Sequence, residues 1–216
     1  MTSDGEVWDR AMWSSKERER LVRLERRRAV QQEGSHRYQR TCLQIASLHR
    51  RARDRRHDFA HKLSTQLAKN HGLVAIEALV VTNMTRSARS TLEKPGRGVA
   101  AKSGLNRAIL DKGWGLVSGQ LQYKCRWYGS MLIEVPAANT SLACPVCGLI
   151  DPGNRPTRAV FLCVGCGHRD HADLNAAINI RERGVGLAPA GGQPVAGRRA
   201  SKRLRTWRQP AREAVA

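Results

Sequence analysis

Acidic side chains are the first thing this sequence lacks: 18 Asp and Glu stand against 38 Lys and Arg, a formal net charge of +20 over 216 residues. That imbalance excludes an acidic or neutral surface and favours a polyanionic partner, with nucleic acid the leading candidate. Ribosome-bound and membrane-surface proteins share such a charge, so it defines a class and no more. Aromatic residues are few, 5% of the chain, and no base-stacking platform is evident along the sequence. No apolar run approaches the roughly 20 residues of a membrane-spanning helix, and no apolar signal-peptide segment follows Met1. These two absences predict a cytoplasmic protein without a membrane partner, in a compartment where thiols stay reduced and favour metal over disulfide. A hydrophobic content of 41% leaves room for a core.

What is present is concentrated between Cys144 and Ile180. Two Cys-x-x-Cys pairs, Cys144/Cys147 and Cys163/Cys166, are each followed at once by Gly, at Gly148 and Gly167. The spacing of the pairs is that of a four-thiolate zinc site. Each knuckle delivers two sulfurs to one side of a tetrahedral ion, and glycine accepts the positive φ that follows the second sulfur. His168 and His171 lie close by, but four thiolates already fill the tetrahedron. Cys42 and Cys125 stand outside this framework and read as small buried apolar residues.

Along the rest of the chain, Asp4-Gly5 marks a turn before a short strand at Glu6–Asp9. Ser14 and Glu17 form the sequence pattern of a capping box, opening a helix expected to continue toward Gly34. A second helix is expected over about Ser35–Asn70, with Ile45, Leu48, Ala52, Phe59, Leu63 and Leu67 at helical spacing. Arg50, Arg51, Arg53, Arg55 and Arg56 crowd its middle. Such a run is ordinarily a solvated face, but its near-uniform sign along two helices suits tracking a phosphate backbone. Leu73–Ile76 reads as a buried strand ended by Glu77. Thr82–Arg97 is polar, with a loop signal at Lys94-Pro95-Gly96. Lys102–Lys124 reads as one helix with Leu105, Ala108, Ile109, Leu116 and Leu121 inward. Met131–Val135 reads as a strand stopped by Pro136. From Gly184 the chain turns to Gly, Pro and Ala and then to Arg, the pattern of a disordered basic tail over 184–216.

The residues after the second knuckle, His171-Ala172-Asp173-Leu174-Asn175-Ala176-Ala177, resemble the C-terminal signature of OrfB/TnpB-type transposon proteins, RNA-guided DNA nucleases related to the type V CRISPR effectors. Glu77 with Asn83-Met84-Thr85, the Gly104-Leu105-Asn106-Arg107 segment and Thr140-Ser141 before the first Cys resemble further motifs of that family. The resemblance implies an α/β fold: an incomplete RNase H-like (RuvC) fold carrying a long basic helical hairpin and an inserted four-Cys zinc ribbon. It divides the chain into a partial nuclease domain over 1–138 with the hairpin at about 14–70, a ribbon over 139–171, a last RuvC helix over 172–183, and the tail. It assigns Glu77 and Asp173 as catalytic carboxylates. From the residues alone, Asp173 could equally cap the helix that follows, and Glu77 could simply turn to solvent.

The family also opens its fold with a Gly-Ile-Asp-x-Gly strand that has no counterpart between Met1 and Gly5. Structural Zn²⁺ is implied, with catalytic Mg²⁺ only where that strand's carboxylate completes the site. The expectation is a transposase-class protein acting in transposition and DNA recombination, with DNA and guide-type RNA as partners. By descent it is an RNA-guided endonuclease, inactive as the 216-residue chain. Two alternatives stay open: a catalytically dead nucleic-acid-binding regulator, and a ribosome-associated zinc-ribbon protein.

Overall fold

The computed structural model describes residues 1–88 and 96–189. Lys94 and Pro95 of the expected loop, and the basic tail from 190 onward, lie outside the described residues.

The architecture is mixed α/β. Helix α1 (Ser15–Ala29) opens on the expected capping box: the Glu17 amide donates to Ser14 Oγ at 3.2 Å, and the Ser14 amide donates to Glu17 Oε2 at 3.0 Å. It stops five residues before Gly34, where the pattern placed its end, because its apolar stripe runs out; only Leu24 is buried. Helix α2 (His36–Asn70), capped by Ser35, runs 35 residues, or roughly 52 Å at 1.5 Å per residue. Its first half packs on α1 through Leu24, Ile45 and Leu48, with Trp13 and Leu21 closing the contact. Its second half supplies Ala60 and Ala68 to the main core, where Val74, Ile76, Val117, Leu121 and Cys125 meet them.

Strand β1 (Leu73–Glu77) and strand β2 (Met131–Val135) pair in parallel, Leu73 opposite Met131 and Glu77 opposite Val135. Burial along β1 alternates, with Val74 and Ile76 inward, because its two faces are covered unequally. Between the strands lie a short helix α3 (Val81–Met84), helix α4 (Val99–Lys112) and helix α5 (Trp114–Tyr128). The single helix expected over Lys102–Lys124 is thus two. Gly113 adopts φ 66°, closing α4 and opening α5, and that left-handed turn is nearly free only for glycine. With the break, Leu105 loses its expected inward face and is 53% exposed, whereas Leu121 is fully buried.

Two further expectations are corrected. Glu6–Asp9 forms no strand: with no neighbouring strand to pair, its backbone finds no ladder. The turn before it is present, with Gly5 at φ 80°. At the other end, helix α6 (Ala172–Leu187) continues four residues beyond Arg183, through the glycines read as the start of the tail. Packing explains this, because α6 lies across the sheet where Gly184 meets Ala75. A Cβ at 184 would fall 2.5 Å from the Ala75 Cβ, while one at Gly186 would meet nothing.

Gly184→Ala should therefore destabilise the protein by about 1–3 kcal/mol, the usual cost of overpacking. Gly186→Ala should be neutral or stabilising by up to about 1 kcal/mol through helix propensity. Urea denaturation of the two variants beside the parent measures both.

Candidate metal centre and carboxylate site

The four-cysteine ribbon is built from two matching knuckles. The Gly148 amide donates to the Cys144 carbonyl at 2.9 Å, the Gly167 amide to the Cys163 carbonyl at 3.0 Å, and both glycines take φ near 75°. Strands β3 (Val160–Leu162) and β4 (Arg169–His171) pair antiparallel and hold the second knuckle. Phe161, fully buried, packs with Cys144, Cys163 and Ala172. The ligand atoms of Cys144, Cys147, Cys163 and Cys166 all lie within 4.8 Å of one another. Two of the sulfur pairs stand at 3.6 and 3.5 Å. A tetrahedral ion with metal–sulfur bonds of about 2.3 Å needs sulfurs roughly 3.8 Å apart, so the cluster can hold a metal. The Cys166 amide donates toward Cys163 Sγ at 3.5 Å and holds that thiol down at about 6, which favours the ligating thiolate.

Asn154 joins the knuckles. It is completely buried, its Nδ2 donates to the Leu142 and Leu149 carbonyls at 2.9 and 3.1 Å, and its Oδ1 accepts from the Val164 amide at 2.9 Å. Nothing in the local sequence marks it, since an asparagine in a Pro-Gly-rich loop reads as a turn residue. Helix α6 secures the ribbon to the sheet by two further asparagines one turn apart. Asn175 Nδ2 donates to the Ala143 carbonyl at 3.0 Å, and Asn179 Nδ2 donates to the Ala143 and Thr140 carbonyls at 2.8 and 2.9 Å. Their helical spacing was visible in the sequence; the carbonyls they serve were not.

Thr140 carries this network to the first carboxylate. Its hydroxyl donates to Glu77 Oε1 at 2.6 Å, fixing the acid at the C-terminal end of β1. Asp173 stands at the start of α6. It is not the helix cap, because His171 takes that place, its Nδ1 accepting from the Asp173 amide at 3.2 Å. The carboxylate is 64% exposed and faces Arg155 at 3.9 Å. Helix α6 passes Leu73 and Ala75 at Gly184 and Thr140 at Asn179, so it runs antiparallel to β1. Asp173 therefore lies on the Glu77 side of the sheet, about 9 Å further along the helix than Asn179. Among the described residues, the four cysteines form the one group of three or more His, Cys, Asp or Glu placed to share an ion.

The five arginines of α2 separate into two sets. Arg50 and Arg51 are exposed, and Arg53 is exposed beside Asp54 at 3.3 Å. Arg55 instead grips Glu17 with both terminal nitrogens at 2.6 Å and donates to the Met12 carbonyl at 2.9 Å. Arg56 pairs with Asp111, tying α2 to the end of α4. The fold thus uses two of the five guanidinium groups internally.

With this geometry in hand, the comparisons place the chain among transposon-encoded proteins with Cas12f1-like parts. Residues 11–88 match the family OrfB_IS605, described as "Probable transposase", and residues 114–180 match "Cas12f1-like, TNB domain". The chain belongs to the OrfB/TnpB-type family. The protein of Escherichia coli (strain K12) named "Putative RNA-guided DNA endonuclease InsQ" is 39% identical over 196 residues, 91% of this chain and 49% of that protein. A Methanocaldococcus jannaschii chain named "Putative transposase MJ0856.1" is 34% identical over 89 residues, 36% of this chain and 81% of its own length. A cryo-EM structure of a Cas12f1–sgRNA–target DNA complex aligns with 77% of this chain and 41% of its own, at 19% identity and a TM-score of 0.47. The chain thus spans about half the length of the E. coli relative.

The Arg55–Glu17 pair sets a pH dependence. The Arg55 guanidinium, helped by the Ser14 amide, holds the Glu17 carboxyl down at about 2 from an ordinary 4.5. A depressed carboxylate stabilises the fold above its unfolded value, and that contribution fades as pH falls through the folded one. Glu17→Gln should lower the melting temperature at pH 7, and its gap from the parent should close between about pH 4.5 and pH 2. Thermal melts across that range check the sign.

Proposed function

We propose that this chain is the nucleic-acid-binding and metal-binding part of an RNA-guided DNA endonuclease of the transposon-encoded type, acting in transposition and DNA recombination in the cytoplasm. The observation that carries the reading is the shared network of Asn179, Thr140 and Glu77, which sets a strand-end carboxylate and the start of α6 at one end of the sheet. The family relation and the similarity to the E. coli protein support the same assignment. In this reading 1–138 is a partial RuvC-like domain of incomplete RNase H-like fold, 139–171 a zinc ribbon, 172–183 its last core helix, and 184–216 a basic tail.

The four thiolates of Cys144, Cys147, Cys163 and Cys166 bind Zn²⁺, which suits soft sulfur ligands and a closed structural site. Glu77 and Asp173 act as hard oxygen ligands for Mg²⁺, which when bound supplies positive charge to the attacking and leaving oxygens of a phosphodiester. The Thr140 hydroxyl holds Glu77 in one orientation and leaves its second oxygen for the ion. Arg155 faces the Asp173 carboxylate at 3.9 Å and leaves it largely open to solvent, where a cation could be held. Two carboxylates do not by themselves complete a two-metal site. Cleavage requires a third acid contributed on a strand of the Gly-Ile-Asp-x-Gly type. DNA and a guide-type RNA are the partners, engaged through the exposed arginines of α2.

Three measurements test this. Purified protein should contain one equivalent of zinc, and chelation should unfold the ribbon, because structural zinc contributes about 10–16 kcal/mol to small metal domains; less than half an equivalent would reject the site. Supplying the third acid on a fused strand should give Mg²⁺-dependent nicking that Glu77→Ala and Asp173→Ala each abolish with nucleic-acid affinity retained. Cutting that survives Asp173→Ala would overturn the assignment. Arg50→Gln with Arg51→Gln should reduce the slope of log K against log salt by about 1.4–1.8, at 0.7–0.9 per phosphate contact. Arg55→Gln with Arg56→Gln should chiefly lower the melting temperature.

A further inference from the structure

The last two turns of α5 gather three of the chain's ten Phe, Trp and Tyr residues on the surface. Tyr123 and Trp127, four residues apart on one helical face, meet edge to face with ring centroids 4.8 Å apart and planes at 67°. Trp127 is 74% exposed and Tyr128 is 42% exposed. The Lys69 ammonium, from the end of α2, stands 5.0 Å over the Tyr128 ring. Arg126, which precedes Trp127, is exposed, and neither cation makes an ion pair among the described residues. The edge-to-face contact with Tyr123 restrains Trp127, which nevertheless stays 74% exposed.

We propose that Trp127, backed by Tyr123, is a stacking surface for the bases of single-stranded nucleic acid, whose phosphates the adjacent Arg126 and Lys69 receive. Flat π-faces flanked by unpaired cations suit a ligand that is both aromatic and anionic, and the chain's charge of +20 repels a second copy of itself. A duplex keeps its bases stacked inside, so only unpaired nucleotides present a face to Trp127. The platform lies beside the start of β2, where Met131 pairs with Leu73, while Glu77 ends β1 four residues further on. At 3.3 Å per residue the two are separated by about 13 Å of sheet, so the platform is distinct from the carboxylate site. It would hold an unpaired stretch away from the point of cleavage.

The inference rests on the reading that this chain binds nucleic acid, and the test separates the two. Binding of an oligothymidylate, an oligouridylate and a duplex of equal length to the full chain is measured by fluorescence anisotropy for the parent, Trp127→Ala and Trp127→Phe. Trp127→Ala should weaken single-strand binding about fivefold or more, as loss of one stacked base does. Duplex affinity, the salt slope and the melting temperature should stay as in the parent, and Trp127→Phe should retain most of the single-strand affinity. Equal losses on duplex and single strand, or no loss on either, would overturn the platform and leave nucleic-acid binding intact. No binding of any oligonucleotide by the parent would remove both. A shift from oligomer to monomer in Trp127→Ala, with oligonucleotide binding unchanged, would make this face a protein interface and reject the proposal.

Discussion

The contact on which most of this structure depends is the crossing of α6 over β1, which is close because residue 184 has no side chain. Gly184 against Ala75 sets the distance between helix and sheet. Once that distance is fixed, Asn179 and Asn175 reach the Thr140 and Ala143 carbonyls. Those bonds anchor the chain just before Cys144, so the ribbon is tied to the sheet at its entrance and, through Ala172, at its exit. Thr140 in turn orients Glu77. One steric fact thus places the four cysteines, the strand-end acid and the start of α6 relative to one another. Buried amide side chains suit this work because each saturates backbone carbonyls that would otherwise be left without partners in the interior.

The ribbon and the sheet are held by different physics. The β1–β2 pair and its helices enclose an ordinary apolar core of Val74, Ile76, Val117 and Leu121. The ribbon has one fully buried large side chain, Phe161, and otherwise relies on sulfur and on Asn154. So small an apolar cluster contributes little burial energy, so a metal held by the four thiolates would add stability where the core supplies little. The basic hairpin is intermediate. Its short core of Leu24, Ile45 and Leu48 is reinforced by the bidentate Arg55–Glu17 pair, while Arg50 and Arg51 are exposed and make no ion pair among the described residues. A further buried cation, Lys124, joins α5 to α2 through Ser64, Thr65 and the His61 carbonyl, and burial lowers its pKa. Its partners are neutral oxygens and the His61 Nδ1 at 3.2 Å, with no carboxylate among them, so it contributes to the helix interface without a counter-ion.

Local chemistry alone determined the capping box, the long second helix, strands β1 and β2 and the knuckles. Each is specified by residues within a few positions of one another: Ser14 with Glu17, Cys144 with Cys147 and Gly148, the apolar run Leu73–Ile76. The motifs around Glu77 and Asp173 were likewise enough to indicate the family. What the sequence could not decide were matters of distance. Whether Lys102–Lys124 is one helix or two turned on Gly113 taking a left-handed conformation. Whether residues past Arg183 stay helical turned on a sheet surface at Ala75. Which arginines face solvent turned on Glu17 and Asp111, up to 55 positions away along the chain. The scarcity of aromatic residues hid that Tyr123 and Trp127 meet on one face of α5 while Lys69 reaches the Tyr128 ring from α2. Pattern reads what neighbours in sequence impose; pairing, burial and close approach are settled only when distant segments meet, because their energies depend on separations that no local spacing encodes.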